Sequence, residues 1–259
     1  MDNLSRRSFL KVIGTAPILL FTSKILNEFV KLSVEVNGDS SNNNVFPKYA
    51  MVIDLSKCIG CRICMYACIK ENNIGRNSGF SYIKVYALPR GVLDIDIGDE
   101  CYTEVEEGKW YIPVQCMQCD DPPCVKVCPV GATFKLETGV VWVDHRRCIG
   151  CRLCMAACPY NARRFNWVWP QVPDNELNPN ALPPRPAGVV EKCIFCPHRV
   201  TRGLKPRCVV ECPTGARYFG DLNDPESEVS KLIKENVSFR LREDLGYKPR
   251  IYYIAGGYK

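Results

Sequence analysis

Residues 148 to 159 read Cys148-Ile149-Gly150-Cys151-Arg152-Leu153-Cys154-Met155-Ala156-Ala157-Cys158-Pro159. The spacing is C-x2-C-x2-C-x3-C-P, a pattern of thiolates that ligates cubane iron–sulfur clusters. Three thiolates on one tight loop reach three corners of a cube. The fourth, a helical turn further on, points away and serves a neighbouring cube. Gly150 is expected to let the backbone curl close to the inorganic sulfides. Pro159 is expected to stop the turn from continuing.

The pattern recurs. Cys58 to Cys68 differs from Cys148 to Cys158 only at Ile63/Leu153 and Tyr66/Ala156. A looser run holds Cys116, Cys119, Cys124 and Cys128, followed by Pro129; another holds Cys193, Cys196, Cys208 and Cys212, followed by Pro213. Four runs of four leave only Cys101 of the 17 cysteines unassigned, enough for four [4Fe-4S] clusters. At 259 residues and 46% hydrophobic content the chain can build a core without disulfides. Structural zinc would use paired C-x2-C knuckles but leaves the third cysteine of each triplet without a role. The formal charge of +6 counts the thiols as neutral. Four oxidised cubes add about −8 and bring the loaded protein near −2, so a basic surface for nucleic acid is not expected. Lys57, Arg62, Lys126, Arg147, Arg152, Lys192 and Arg207 sit beside these cysteines as compensation.

The N-terminus, Ser5-Arg6-Arg7-Ser8-Phe9-Leu10-Lys11 followed by uncharged Val12 to Phe21, reads as a twin-arginine export signal. The apolar stretch is too short to span a bilayer. No small-x-small cleavage site is evident, so the signal serves either as a leader or as an anchor. This places the protein at the extracytoplasmic face of the cytoplasmic membrane, peripheral or signal-anchored. Twin-arginine export carries folded proteins, so clusters can be built before translocation.

Strands are expected at Tyr49 to Asp54, Ser81 to Leu88, Lys109 to Val114, Arg217 to Gly220 and Arg250 to Ile254. Thr133 to Leu136 and Val140 to Asp144 flank Glu137-Thr138-Gly139 as a hairpin. Asp224 as N-cap and Pro225 at the first helical position open a helix to about Asn236. Residues 91 to 108 form an acidic surface excursion, with Cys101 a free, part-buried thiol. His145 is expected in solvent, and His198, after Cys196-Pro197, is not needed as a ligand. From Pro170 to Pro186 six prolines impose an extended arm. Trp167 and Trp169 just before it favour docking on a partner.

One cluster loop, a hairpin and a second cluster loop make a whole two-cluster unit. The fold class is therefore α+β, with two ferredoxin-like units, one inserted into the other, and loop-rich connections. Residues 1–36 are the signal segment. Residues 45–115 with 187–224 form the outer unit, and 116–169 the inserted unit. Residues 170–186 are the Pro-rich arm, and 225–259 add the C-terminal helix and strand.

Four stretches carry a family resemblance: Gln118-Cys119-Asp120-Asp121-Pro122-Pro123-Cys124, Cys128-Pro129-Val130-Gly131-Ala132-Thr133, Glu191-Lys192-Cys193 and Phe219-Gly220-Asp221-Leu222-Asn223-Asp224-Pro225. From about Ala50 to Asp224 the chain resembles the four-cluster electron-transfer subunit of membrane-bound molybdopterin oxidoreductases, such as tetrathionate, polysulfide/thiosulfate and dimethyl sulfoxide reductases. The resemblance implies a molybdopterin-containing catalytic subunit and an integral membrane, quinone-interacting subunit as partners, with this chain as the non-catalytic wire between them. Two departures stand out. Ile69 replaces the proline after the first run. Cys151 stands where some nitrate-reductase-type members carry Trp and a three-iron cluster, so a four-iron cluster is expected here.

In two-cluster ferredoxins the fourth cysteine of each run serves the other cluster. The second and third runs, joined by one hairpin, are expected to exchange. One cube takes Cys116, Cys119, Cys124 and Cys158, the other Cys148, Cys151, Cys154 and Cys128. The first and fourth runs then pair across the inserted unit, as the resemblance also implies. One cube takes Cys58, Cys61, Cys64 and Cys212, the other Cys193, Cys196, Cys208 and Cys68. An alternative is the periplasmic iron–sulfur subunit of a molybdenum-free transmembrane redox complex linked to dissimilatory sulfur metabolism, which shares the export signal and the Gly188 to Cys193 region. Length, export and the proline arm weigh against a free-standing ferredoxin.

Overall fold

The computed structural model describes residues 46–255. Residues 1–36, expected to be an export signal with Arg6 and Arg7, lie outside them. In chain order the elements are β1 (Tyr49–Asp54), α1 (Ile63–Glu71), β2 (Lys84–Pro89), β3 (Lys109–Val114), α2 (Pro123–Lys126), β4 (Thr133–Lys135), β5 (Val141–Val143) and α3 (Leu153–Ala156). There follow β6 (Arg164–Phe165), β7 (Val190–Glu191), α4 (Pro197–Val200), α5 (Arg207–Val210), β8 (Arg217–Asp221), α6 (Glu228–Glu235), β9 (Ser238–Phe239) and β10 (Ile251–Ile254). Short helices and strands of this kind are compatible with ferredoxin-like cluster domains.

The main sheet runs β8-β1-β10-β9. β1 is one of its two inner strands, antiparallel to β8 and parallel to β10. Both faces of β1 are covered, which is why Ala50-Met51-Val52-Ile53 is a continuous apolar run rather than an alternating one. Val52 and Ile254 pack under Val229 of α6, while Met51, Ile53 and Tyr253 point into the core that also holds the cysteines. The other pairings are local: β2 with β3, β4 with β5 as the expected hairpin, and β6 with β7.

Three local expectations differ from the structure. The N-cap of α6 is Ser227, whose hydroxyl accepts from Ser230 N at 3.3 Å. Asp224 instead closes a turn by accepting from Glu226 N at 2.9 Å. Two candidate caps stood three residues apart, and the serine won. Cys101 is exposed. His145 is half-buried against Val190 and Arg185, and burial pushes its imidazole down to about 4.

The acidic excursion is also less detached than its charge implies. Tyr102 is buried and donates to Gly60 O at 2.5 Å, and the Arg62 guanidinium lies 3.7 Å over its ring. The excursion thereby covers the first cysteine loop.

The Pro-rich arm lies on the protein's own surface. Gln171 O accepts from Arg76 N at 2.8 Å, and Asn73 Nδ2 donates to Asn178 O and Leu182 O at 2.9 and 3.0 Å. Arg76 pairs with Glu176 at 2.6 Å, and Arg185 Nη1 donates to Asn72 O at 2.5 Å. Proline removes backbone donors, so side chains of residues 72–78 supply many of the bonds that hold the arm. Trp167 and Trp169, at its root, are each 71% exposed.

Candidate metal centres

The four cysteine runs share one local geometry. The residue before the second cysteine has a left-handed backbone in every run: Gly60 at φ 71°, Gln118 at 49°, Gly150 at 68° and Phe195 at 59°. The third cysteine is the second residue of a short helix in every run: Cys64 in α1, Cys124 in α2, Cys154 in α3 and Cys208 in α5. A tight left-handed loop followed by one helical turn is therefore the repeat unit. The proline after the fourth cysteine decides how far the helix runs. A residue preceding proline is driven out of the helical region, and α2, α3 and α5 stop after four residues each. Ile69 removes that stop, and α1 continues for nine residues.

The proline turn also serves the fourth thiol. Thr133 N donates to Cys128 Sγ at 3.5 Å and Ala216 N to Cys212 Sγ at 3.3 Å. At Cys128, partial desolvation is outweighed by backbone N–H groups of Thr133, Val130 and Ala132, which hold the thiol below its ordinary value. Gly150 is demanded by more than its φ: a β-carbon there would run into the Gly188 carbonyl. The same added atom at Gly60 would meet the Tyr111 ring at 2.5 Å. Crowding by neighbouring chain, beside any approach to sulfide, excludes a side chain at both.

None of the 17 cysteines is joined in a disulfide. One cavity is lined by Cys68, Cys193, Cys196 and Cys208. A second is lined by Cys58, Cys61, Cys64 and Cys212, and a third by Cys128, Cys148, Cys151 and Cys154. Cys116, Cys124 and Cys158 are the thiols that bear electrostatically on Cys119, a fourth group of four. Each group takes its fourth cysteine from a different run. Among the described residues no three His, Cys, Asp or Glu side chains converge on one metal-ion position; three of the thiol groups line the walls of cavities instead. Burial pushes Cys64 and Cys196 up to about 12. These thiols must release protons when they bind iron, which ties site loading to folding.

The surroundings carry what such groups need. Asn72 Nδ2 lies 3.6 Å from both Cys68 Sγ and Cys196 Sγ, a donor shared by two runs. Gln118, fully buried, donates to Cys193 O and accepts from Val141 N, each at 2.8 Å, and so ties the second run to the fourth. Arg217 and Arg163 are buried, and Arg217 Nε and Nη1 and Arg163 Nη2 have no hydrogen-bond partner among the described residues. Arg217 lines two of the thiol-lined cavities, and buried orphaned donors there fit an anionic occupant. Asn72, Gln118 and the two arginines were not expected from the sequence, because which donors lie between ligands depends on how the runs meet in space. His198 pairs with Glu71 at 2.8 Å.

Two family models, each described as a 4Fe-4S dicluster domain, match residues 108–173 with 184–222 and residues 57–132. A selenate reductase subunit of Mesobacillus selenatarsenatis is 41% identical, over 80% of this chain and 72% of its own. A tetrathionate reductase subunit of Salmonella typhimurium is 33% identical, over 98% of this chain and 89% of its own. The chain belongs to the iron–sulfur subunits of molybdopterin oxidoreductases. This iron–sulfur subunit carries four [4Fe-4S] clusters. Each cluster, when bound, takes up and releases one electron by outer-sphere transfer. A further relative, the Hdr-like menaquinol oxidoreductase iron-sulfur subunit 1 of Archaeoglobus fulgidus, is 36% identical over 98% of the iron–sulfur subunit and 99% of its own chain.

Proposed function

We propose that the subunit relays electrons through its four clusters between a molybdopterin catalytic subunit and an integral membrane, quinone-interacting subunit. The observation that carries this is the uneven exposure of the second cysteine of each run. Cys61 and Cys151 are exposed, whereas Cys119 and Cys196 are buried. Exposed apolar residues surround the two exposed thiols: Ile59, Ile63 and Tyr66 beside Cys61; Ile149, Leu153 and Trp167 on the side of Cys151. A relay needs two terminal sites open to partners and inner sites shielded from water, and this distribution supplies both.

The proposed ligand sets are the four crossed groups. They order as Cys58/Cys61/Cys64/Cys212, then Cys68/Cys193/Cys196/Cys208, then Cys116/Cys119/Cys124/Cys158, then Cys128/Cys148/Cys151/Cys154. The influence of Cys116 on Cys193 supports the middle junction. In this reading the third and fourth sets form a ferredoxin-like unit, 116–169, inserted into the outer one.

The test is a metal and redox assay on the purified complex. We expect molybdenum or tungsten in a co-purifying large subunit, and anaerobic quinol to reduce the clusters. The Archaeoglobus relative, named for menaquinol and aligned end to end, favours one second reading, a molybdenum-free membrane redox complex. Quinol reduction without molybdenum or tungsten would select it, and clusters that no quinol reduces would contradict both.

Export by the twin-arginine route to the extracytoplasmic face of the membrane belongs to the same proposal. Among the described residues no helix is long and apolar enough to cross a membrane. Replacing Arg6 and Arg7 with Lys should leave cluster-loaded protein in the cytoplasm, followed by fractionation and immunoblot. Undiminished export of that variant would end the twin-arginine reading.

A further inference from the structure

Two of the four runs continue past their last cysteine in the same way: Cys158-Pro159-Tyr160-Asn161-Ala162-Arg163 and Cys212-Pro213-Thr214-Gly215-Ala216-Arg217. Both arginines are buried, at 1% and 3% exposure. Neither has a carboxylate partner among the described residues, unlike buried Arg185, which faces Glu191, and Arg250, which pairs with Asp120 at 2.7 Å. A buried guanidinium without a counter-charge is costly, so its partner must be the site itself.

Arg217 borders two thiol groups directly, and Arg163 reaches the edge of a third through Thr133. Arg217 lines both the cavity of Cys68, Cys193, Cys196 and Cys208 and that of Cys58, Cys61, Cys64 and Cys212. Its Nη2 is used on Gln115 Oε1 at 3.0 Å and Met51 Sδ at 3.3 Å, while Nε and Nη1 stay free among the described residues. Arg163 uses Nη1 on Thr133 Oγ1 at 3.2 Å, and Thr133 lines the cavity of Cys128, Cys148, Cys151 and Cys154. Burial opposes its charge, but Cys124, Cys154 and Cys116, which belong to two different thiol groups, favour it.

We infer that Arg163 and Arg217 are paired positioning residues, each a single buried cation shared by two neighbouring clusters and holding both of their reduction potentials up. The inference rests on the proposed ligand sets. A cation beside a cluster favours the form carrying the extra electron, and a low-dielectric interior lengthens its reach. One guanidinium between two sites therefore raises both together and keeps adjacent steps of the relay matched.

The test is anaerobic redox titration, read by electron paramagnetic resonance, on the purified complex carrying Arg217→Gln, Arg217→Lys, Arg163→Gln or Arg163→Lys. The expected result is that Arg217→Gln lowers two of the four midpoint potentials, that Arg163→Gln lowers the other two, and that each Lys variant restores most of the shift. Loss of iron from the two sites a Gln variant borders, with the other two loaded, supports the same pairing. A Gln variant that moves one potential alone, moves none, moves all four equally, or loses iron from one site or from all four overturns it. Wild-type protein lacking inorganic sulfide would fail the cluster assignment itself, an outcome distinct from any of these.

Discussion

Cys68→Ser is expected to remove or alter the cluster of Cys193, Cys196 and Cys208, and to leave the cluster of Cys58, Cys61 and Cys64 in place. Cys68 sits in α1, at the end of the first run, yet it lines the cavity formed by the fourth run. Its neighbours by charge are Cys193, Cys196 and Cys208 ahead of Cys64. Asn72 Nδ2 donates to Cys68 O at 3.0 Å and lies against both Cys68 and Cys196 sulfurs, so this group is held as one unit. Iron and sulfide should fall by up to about four of each per chain. A loss confined to the Cys58, Cys61 and Cys64 signal would mean that each run keeps its own fourth ligand.

Arg185→Met is expected to be the most damaging change outside the cysteines. Arg185 and Glu191 are both buried, with Nε 3.8 Å from Oε2. Tyr82 and Asn166 donate to the same carboxylate. Removing the guanidinium strands the Glu191 charge in the interior, which costs about 3–5 kcal/mol, a large part of a domain's usual ~5–15 kcal/mol. It also frees Asn72 O, so the site that Asn72 braces should fail first. Thermal bleaching of the cluster absorbance should begin well below the wild-type temperature. The double variant Arg185→Met, Glu191→Met should recover much of the loss, because removing both partners of a buried pair costs far less than removing one. A single variant as heat-stable as wild type would contradict this account of the arm.

The cysteine spacing made the repeat legible, because ligand geometry tolerates little variation in spacing. The strands β1 and β3 were legible to the residue, since each is a short β-prone stretch that leads straight into a cysteine run. Other features were not. The left-handed residues Gln118 and Phe195 occupy the position that Gly60 and Gly150 hold, but nothing in their chemistry announces a positive φ. The arm's prolines showed that it is extended, not where it lies, because its partners Asn72, Asn73 and Arg76 are about a hundred residues away. His145 was read from its polar neighbours Asp144, Arg146 and Arg147, and it is β7 and the end of the arm that enclose it. The repeated Cys-Pro-x-x-Ala-Arg was present in the sequence, but its meaning depends on two runs meeting in space.

The most direct measurement of the central claim is iron-edge anomalous diffraction from anaerobic crystals of the assembled complex, which locates each cube and the four sulfurs around it. The account predicts four cubes, each bound by three cysteines of one run and the fourth of another. They should run from the exposed Cys61 end to the exposed Cys151 end, with Arg217 between the first two and Arg163 between the last two. Cubes each held by the four cysteines of a single run, or a terminal cube sealed away from the surface, would contradict it.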